Sequence, residues 1–174
     1  MDPVPPAPHA PPPRGEALTD QEIETFAGYS GGYYRLAWQL AKQTGGLYAG
    51  FNWPAALLNH VWMLYRRMYL ECAVTVVVLT VLLLVEQWIH RAVGLPLPGG
   101  GMLFLLGSIP VIGLLGNLLY LRRARAAVQQ SRLEPDPQRG KERLASRGGT
   151  SNLALVLGIL ANVAFAVISM MTRR

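Results

Sequence analysis

LECAVTVVVLTVLLLVEQWI (residues 70–89), MLFLLGSIPVIGLLGNLLYL (102–121) and LALVLGILANVAFAVISMM (153–171) are the stretches whose reading decides the fold. Each is close to the roughly 20 apolar residues that a helix needs to cross the hydrocarbon core of a bilayer. In lipid the backbone amides and carbonyls have no water to turn to, so runs of this kind cross as helices. The expected fold class is an all-α membrane protein with three transmembrane helices plus a cytoplasmic-side interfacial helix.

Composition limits what surrounds these spans. With 51% hydrophobic and 15% charged positions in 174 residues, the chain has room for a small membrane bundle but not for a separate soluble catalytic domain. Cys72 is the lone cysteine and heads an apolar run, where it behaves as a small hydrophobe. His9, His60 and His90 are scattered, so no metal site, cofactor or catalytic residue is expected and the chain reads as a non-enzyme. A net charge of +6 beside spans is a topology signal, and no nucleic-acid partner is expected.

Residues 1–18 read as a disordered, proline-rich tail with polyproline II character and no apolar core of a secretory signal. Residues 19–50 read as short cytosolic helices. Thr19-Asp20-Gln21-Glu22 fits a capping box that starts a helix over about Asp20–Ala27, and Gly28, Gly31 and Gly32 break it. Tyr33 to Gln43 then sets Tyr33, Leu36, Ala37, Leu40 and Ala41 along one helical face, with Gly45 and Gly46 as the stop.

Residues 51–69 form a fourth apolar segment. Asn52 suits a helix cap and Pro54 its first turn. At a rise of about 1.5 Å per residue, Trp53 to Tyr65 is too short to span. An interfacial or re-entrant helix is expected, with Trp53, Trp62 and Tyr65 at headgroup depth and Arg66 and Arg67 snorkelling. No turn signal separates Tyr65 from Leu70, which leaves open a continuous run into the first span.

Residues 70–121 form a two-span hairpin. Glu86 near the end of the first span reads as a solvated end cap, the glycine- and proline-rich link to Gly101 as a loop outside lipid, and Pro110 as a kink in the second span. Residues 122–152 form a basic cytoplasmic loop: Ala124 to Leu133 can extend the helix into water, and Pro135 to Gly149 reads as linker. Thr150 or Ser151 caps the third transmembrane helix within residues 153–174, where Ala154, Gly158, Asn162 and Ala166 recur every four residues.

Basic residues number five before the first span, one (Arg91) between the first two, eight after the second and two at the end. The positive-inside rule places the N-terminus and the basic loop in the cytoplasm and disfavours an outer position for Arg173 and Arg174.

Gly28-Tyr29-Ser30-Gly31-Gly32 matches the G-x-S-x-G pattern of serine hydrolases, but no strand precedes the serine and no histidine sits mid-span. A structural hinge is the preferred reading. Asn117 and Asn162 are amides that seek partners in lipid, worth about 0.6–2 kcal/mol each as helix glue.

Tyr33-Tyr34, Phe51-Asn52-Trp53-Pro54-Ala55-Ala56, Trp62 to Tyr69 and Gly113 to Tyr120 together resemble a family of small bacterial inner-membrane proteins, domain of unknown function 2628, over about residues 30–130. The resemblance implies a multi-pass place in the bacterial inner membrane and assigns no chemistry.

The expected function is an accessory, assembly or scaffold component of the membrane. Its expected partners are anionic lipid headgroups, another membrane protein or a second copy of itself. The candidate interaction residues are Trp53, Trp62, Tyr65, Arg66, Arg67, Asn117, Tyr120, Arg122, Arg123, Gly158 and Asn162. The alternative is a small transporter or channel component built on the Pro110 kink and Asn117.

Overall fold

The computed structural model describes residues 18–94 and 102–172. The proline-rich tail, the loop around Pro96 and the terminal Arg173 and Arg174 lie outside the described residues. Among the described residues every regular element is helical: α1 Asp20–Ala27, α2 Gly31–Gln43, α3 Trp53–Leu58, α4 His60–Tyr65, α5 Tyr69–Val93, α6 Met102–Arg132, α7 Pro137–Arg147 and α8 Asn152–Thr172. Two helical segments among them, Tyr69–Val93 and Pro137–Met171, are long and apolar enough to cross a membrane, the apolar part of the second being α8.

α1 starts as its sequence requires. The Thr19 hydroxyl accepts the Glu22 amide at 3.2 Å, and the Glu22 carboxylate accepts the Thr19 amide at 2.8 Å. The same carboxylate takes a forked contact from Arg132 at the end of α6, at 2.7 and 2.8 Å. Burial alone would raise the Glu22 carboxyl, but Arg132 and the Thr19 amide and hydroxyl outweigh it and hold the group below its ordinary value. A depressed folded-state value means stability that is full above the unfolded carboxyl's titration, near pH 4, and is lost as pH falls through the folded one. Glu22→Gln is therefore expected to cost roughly 1–3 kcal/mol at pH 7, and progressively less as the pH falls below about 4. Unfolding midpoints of both proteins across that range check it.

The N-terminal helices close on the C-terminal half of α6 to form a compact head. Its core joins Ile23 and Phe26 of α1, Tyr34 and Trp38 of α2, Trp62 and Met63 of α4, Tyr120, Ala124 and Val128 of α6, and Leu144 of α7. Thus α6 does extend past Leu121, but one side is buried in the head rather than in water. The inward face of α2 is Tyr34, Ala37, Trp38 and Ala41; Leu36 is exposed, and Tyr33 is partly exposed with its hydroxyl turned to Asn117. Rotating by one residue buries two large aromatic rings in place of Leu36 and Leu40, which removes more apolar area from water.

Residues 135–149 are not a linker. The Asp136 carboxylate caps α7 by accepting the Gln138 amide at 2.9 Å, Pro137 opens the first turn, and Leu144 plugs into the core. One inward leucine gives no readable periodicity, so tertiary contact decides this helix. After α7 the chain is pinned to the end of α1, where the Gly149 amide donates to the Phe26 carbonyl at 2.7 Å.

The segment 51–69 departs furthest from expectation. The continuous run into α5 is overturned: the chain breaks at Asn59 (φ 49) and turns at Arg66–Met68, with Arg67 at φ 57. α3 and α4 form a broken wedge, α3 lying on α6 and α4 on both α5 and α8. Asn52 caps α3 through the Ala55 amide, as its position suggests. The buried Asn59 side chain donates to Ser108 Oγ at 2.9 Å, fastening the break beside Pro110 of α6, which runs helical through that proline.

The long apolar helices meet this wedge more than each other. Gly158 of α8 faces Leu64 and Val61 of α4, so the small-residue stripe seats α8 on the wedge and not on α5. Glu86 is 5% exposed, so the solvated end-cap reading is also corrected; its carboxylate lies 3.8 Å from His90 Nε2 one turn on.

Candidate functional site

The glycine pair of α6 sets the geometry of the site. A Cβ on Gly116 would stand 2.8 Å from the Ala55 methyl, and one on Gly113 would overlap the Phe51 ring. With no side chains there, α3 approaches closely enough for the Asn52 amide to donate to the Gly113 carbonyl at 2.8 Å. Asn117, fully buried, then fills the seam. Its Oδ1 accepts Asn52 Nδ2 at 2.8 Å, and its Nδ2 donates to the Ala49 carbonyl at 2.9 Å and the Tyr33 hydroxyl at 3.0 Å. Asn117 therefore fixes α6 to the α2–α3 connection and leaves no amide group facing a path between spans.

One turn further, Tyr120 is completely buried among aromatic rings, with centroids 4.5 Å from Tyr34, 5.2 Å from Phe26 and 6.3 Å from Trp62. Against this cluster lies Arg66. Its guanidinium carbon is 4.9 Å from the Tyr34 centroid, 5.3 Å from Tyr120 and 5.5 Å from Tyr65, and Nη2 donates to Ser30 Oγ at 2.8 Å. The snorkelling reading of Arg66 is corrected: the residue is 6% exposed because the turn after α4 points it inward between the rings. Among the described residues Nε and Nη1 have no hydrogen-bond partner and no carboxylate pairs with the guanidinium. Cation–π contacts contribute about 0.5–2 kcal/mol each. The cost of holding a buried, unneutralised charge is several kcal/mol.

Arg66 forms part of the wall of an open pocket of about 510 Å³. Ser30, Gly32 and Tyr33 at the start of α2, Asn52, Pro54, Leu58, Trp62 and Tyr65 of the wedge segment, and Leu155 of α8 line it as well. Tyr29, fully exposed, stands at the mouth. Burial pushes the Tyr34 phenol well above its ordinary range, with Arg66 pulling it back in part, so the ring under the cation stays neutral. Ser30 meets a guanidinium, which donates protons and takes none; the contact does not activate a nucleophile.

The eleven residues expected to carry interactions separate into groups. Trp62, Tyr65, Arg66, Asn117 and Tyr120 converge on the pocket and its supporting seam. Trp62, only 2% exposed, is core and not a headgroup anchor, whereas Trp53 is exposed, its ring 4.7 Å from Phe51. Arg67 and Arg123 are structural clasps: Arg67 Nη1 reaches the Ser146 carbonyl at 2.8 Å, and Arg123 holds Glu71 at 3.2 Å and the Arg67 carbonyl at 2.7 Å. Gly158 and Asn162 sit on the α4–α8 contact, where Asn162 Nδ2 lies 3.1 Å from His60 Nε2. Arg122 is exposed.

Ser30, Tyr34 and Asn52 were not among the expected interaction residues. The spacing Gly113, Gly116, Asn117, Tyr120 and Ala124 is the signal that marks the seam, a helical stripe of small and polar residues in an otherwise apolar run.

No curated protein and no solved structure matches the chain. Residues 25–125 match the model of a family described as a protein of unknown function, DUF2628. That range contains the wedge, the Asn117 seam, Arg66 and every pocket residue except Leu155, and the chain belongs to this family.

Proposed function

We propose that this is a three-span protein of the bacterial inner membrane, with its N-terminus and head in the cytoplasm, that works as a non-catalytic accessory or scaffold component. α6 supplies the third crossing through its Met102–Leu121 stretch. The observation that carries the reading is the pocket beside the head, which offers a cation and aromatic rings for recognition and sets Ser30 against a guanidinium, a group that takes no proton. The apolar stretches of α5 and α8 support it: only 11% and 6% of their residues are buried within the chain. Faces so little used internally are available to lipid, to another membrane protein or to a second copy.

Crosslinking in native membranes, followed by purification of the full chain in mild detergent, tests the proposal. A defined partner or homo-oligomer is expected, and its yield falls when Leu157 and Phe165 on the open face of α8 are changed to bulky tryptophan. A strictly monomeric product without co-purifying protein overturns it.

A further inference from the structure

The charge on Arg66 has no carboxylate partner among the described residues, and the residue lines the pocket. Three features converge there. Arg66 is more than nine-tenths buried, with two unpartnered guanidinium nitrogens, and its third already holds Ser30. Ser30, Gly32 and Tyr33 bring the N-terminal turn of α2, a 13-residue helix whose dipole favours negative charge at that end. Gly32 lines the pocket and has open space where a Cβ would stand. The remaining wall is apolar, formed by Pro54, Leu58 and Leu155, the last on a membrane helix.

We infer that the pocket binds a phosphate-class oxyanion, held by Arg66 and Ser30 at the start of α2, with the rest of the ligand against Leu58 and Leu155. The Gly28–Gly32 motif then serves as an anion cradle as well as a hinge. A planar guanidinium fits phosphate oxygens in a forked contact that lysine does not reproduce. The rings around Arg66 shield its free nitrogens from solvent. An anion reaches those nitrogens when a ring at the pocket wall turns aside, and Tyr65, half-buried and lining the pocket, is such a ring. The group comes from a lipid headgroup or from a soluble phosphate compound; both present the same oxygens. This inference rests on the pocket being the working site of the proposed function.

The test uses the full chain in maltoside detergent and phosphate-free buffer, followed by tryptophan fluorescence and unfolding midpoint. One arm adds inorganic phosphate and the other mixed micelles containing phosphatidylglycerol. A saturable response to the first identifies a soluble phosphate ligand, and a response to the second alone identifies a lipid headgroup. In either arm Arg66→Gln is expected to weaken binding by about tenfold or more, and Arg66→Lys to restore little of it. Leu155→Trp fills the pocket while leaving the cation in place and is expected to abolish the response, which covers the case of a poorly folded Arg66 variant. Arg122→Gln with Arg125→Gln is expected to change nothing. No response to either probe, an unchanged response in both pocket variants, or an equal loss in the Arg122/Arg125 variant overturns the inference. A partner still captured by crosslinking when neither probe binds removes the anion and leaves the accessory role standing.

Discussion

Asn117→Leu is expected to destabilise the full chain by about 3–5 kcal/mol, far more than the 0.6–2 kcal/mol typical of a single amide bridging two spans. The difference lies in what the amide serves. Its removal leaves Asn52 Nδ2 and the Ala49 carbonyl without their buried partners and takes a contact from the Tyr33 hydroxyl. Each buried orphan costs about 1–3 kcal/mol. Leucine also places branched carbon where Gly50 and Asn52 lie in contact. Asn162→Leu is the internal comparison: that residue is exposed, and its amide reaches the Gly158 carbonyl of its own helix at 2.7 Å. Its loss should stay below about 1 kcal/mol. Detergent-solubilised unfolding midpoints of the two variants provide the measurement, and equal effects would show that Asn117 is ordinary helix glue.

Tyr120→Ala carries the second large effect, a loss of about 3–5 kcal/mol. The ring is 0% exposed and touches aromatic residues from three other helices, so alanine leaves a cavity that a rigid cluster cannot close. It also withdraws one of the three rings facing Arg66. The variant is expected to lose protection of the Arg66 turn as well as global stability. Near-ultraviolet circular dichroism and hydrogen exchange at residues 64–68 read the two effects separately. Tyr120→Phe keeps the ring and should remain within about 1 kcal/mol of the parent, since packing rather than the hydroxyl carries the contribution.

Local rules in the chain were enough for several elements. The Thr19 capping box starts α1 at Asp20, Asn52 caps α3, and Ser151 accepts the Ala154 amide at 3.2 Å just before α8. These features depend on residues within three positions of one another, so a linear reading contains everything needed. The apolar runs of α5 and α8 are legible for the same reason: their character is set by composition, not by neighbours.

The reading stopped where long-range contacts choose between local alternatives. Nothing near Arg66 in sequence separates an arginine that snorkels from one that turns inward. The positive φ of Arg67 and the rings of Tyr34 and Tyr120, some 30 and 50 positions away, make that choice. Residues 137–147 carry too few apolar positions to announce a helix, yet docking of Leu144 against α1 and α6 makes them one. Ser30 looked like a hinge because its partner is 36 residues distant.

Composition alone marks the runs long and apolar enough to cross a membrane, and such runs are helical in lipid because hydrocarbon offers backbone groups no partner. The sequence also determined the caps and glycine breaks that delimit the short helices. Long-range packing sets the rest: the wedge of α3 and α4, rather than direct packing of the long helices on one another, gathers them, and a buried arginine lines a pocket beside them. The physical reason is that burial of a charge and closure of an aromatic cluster are sums over residues far apart in the chain, and no window of sequence contains those sums.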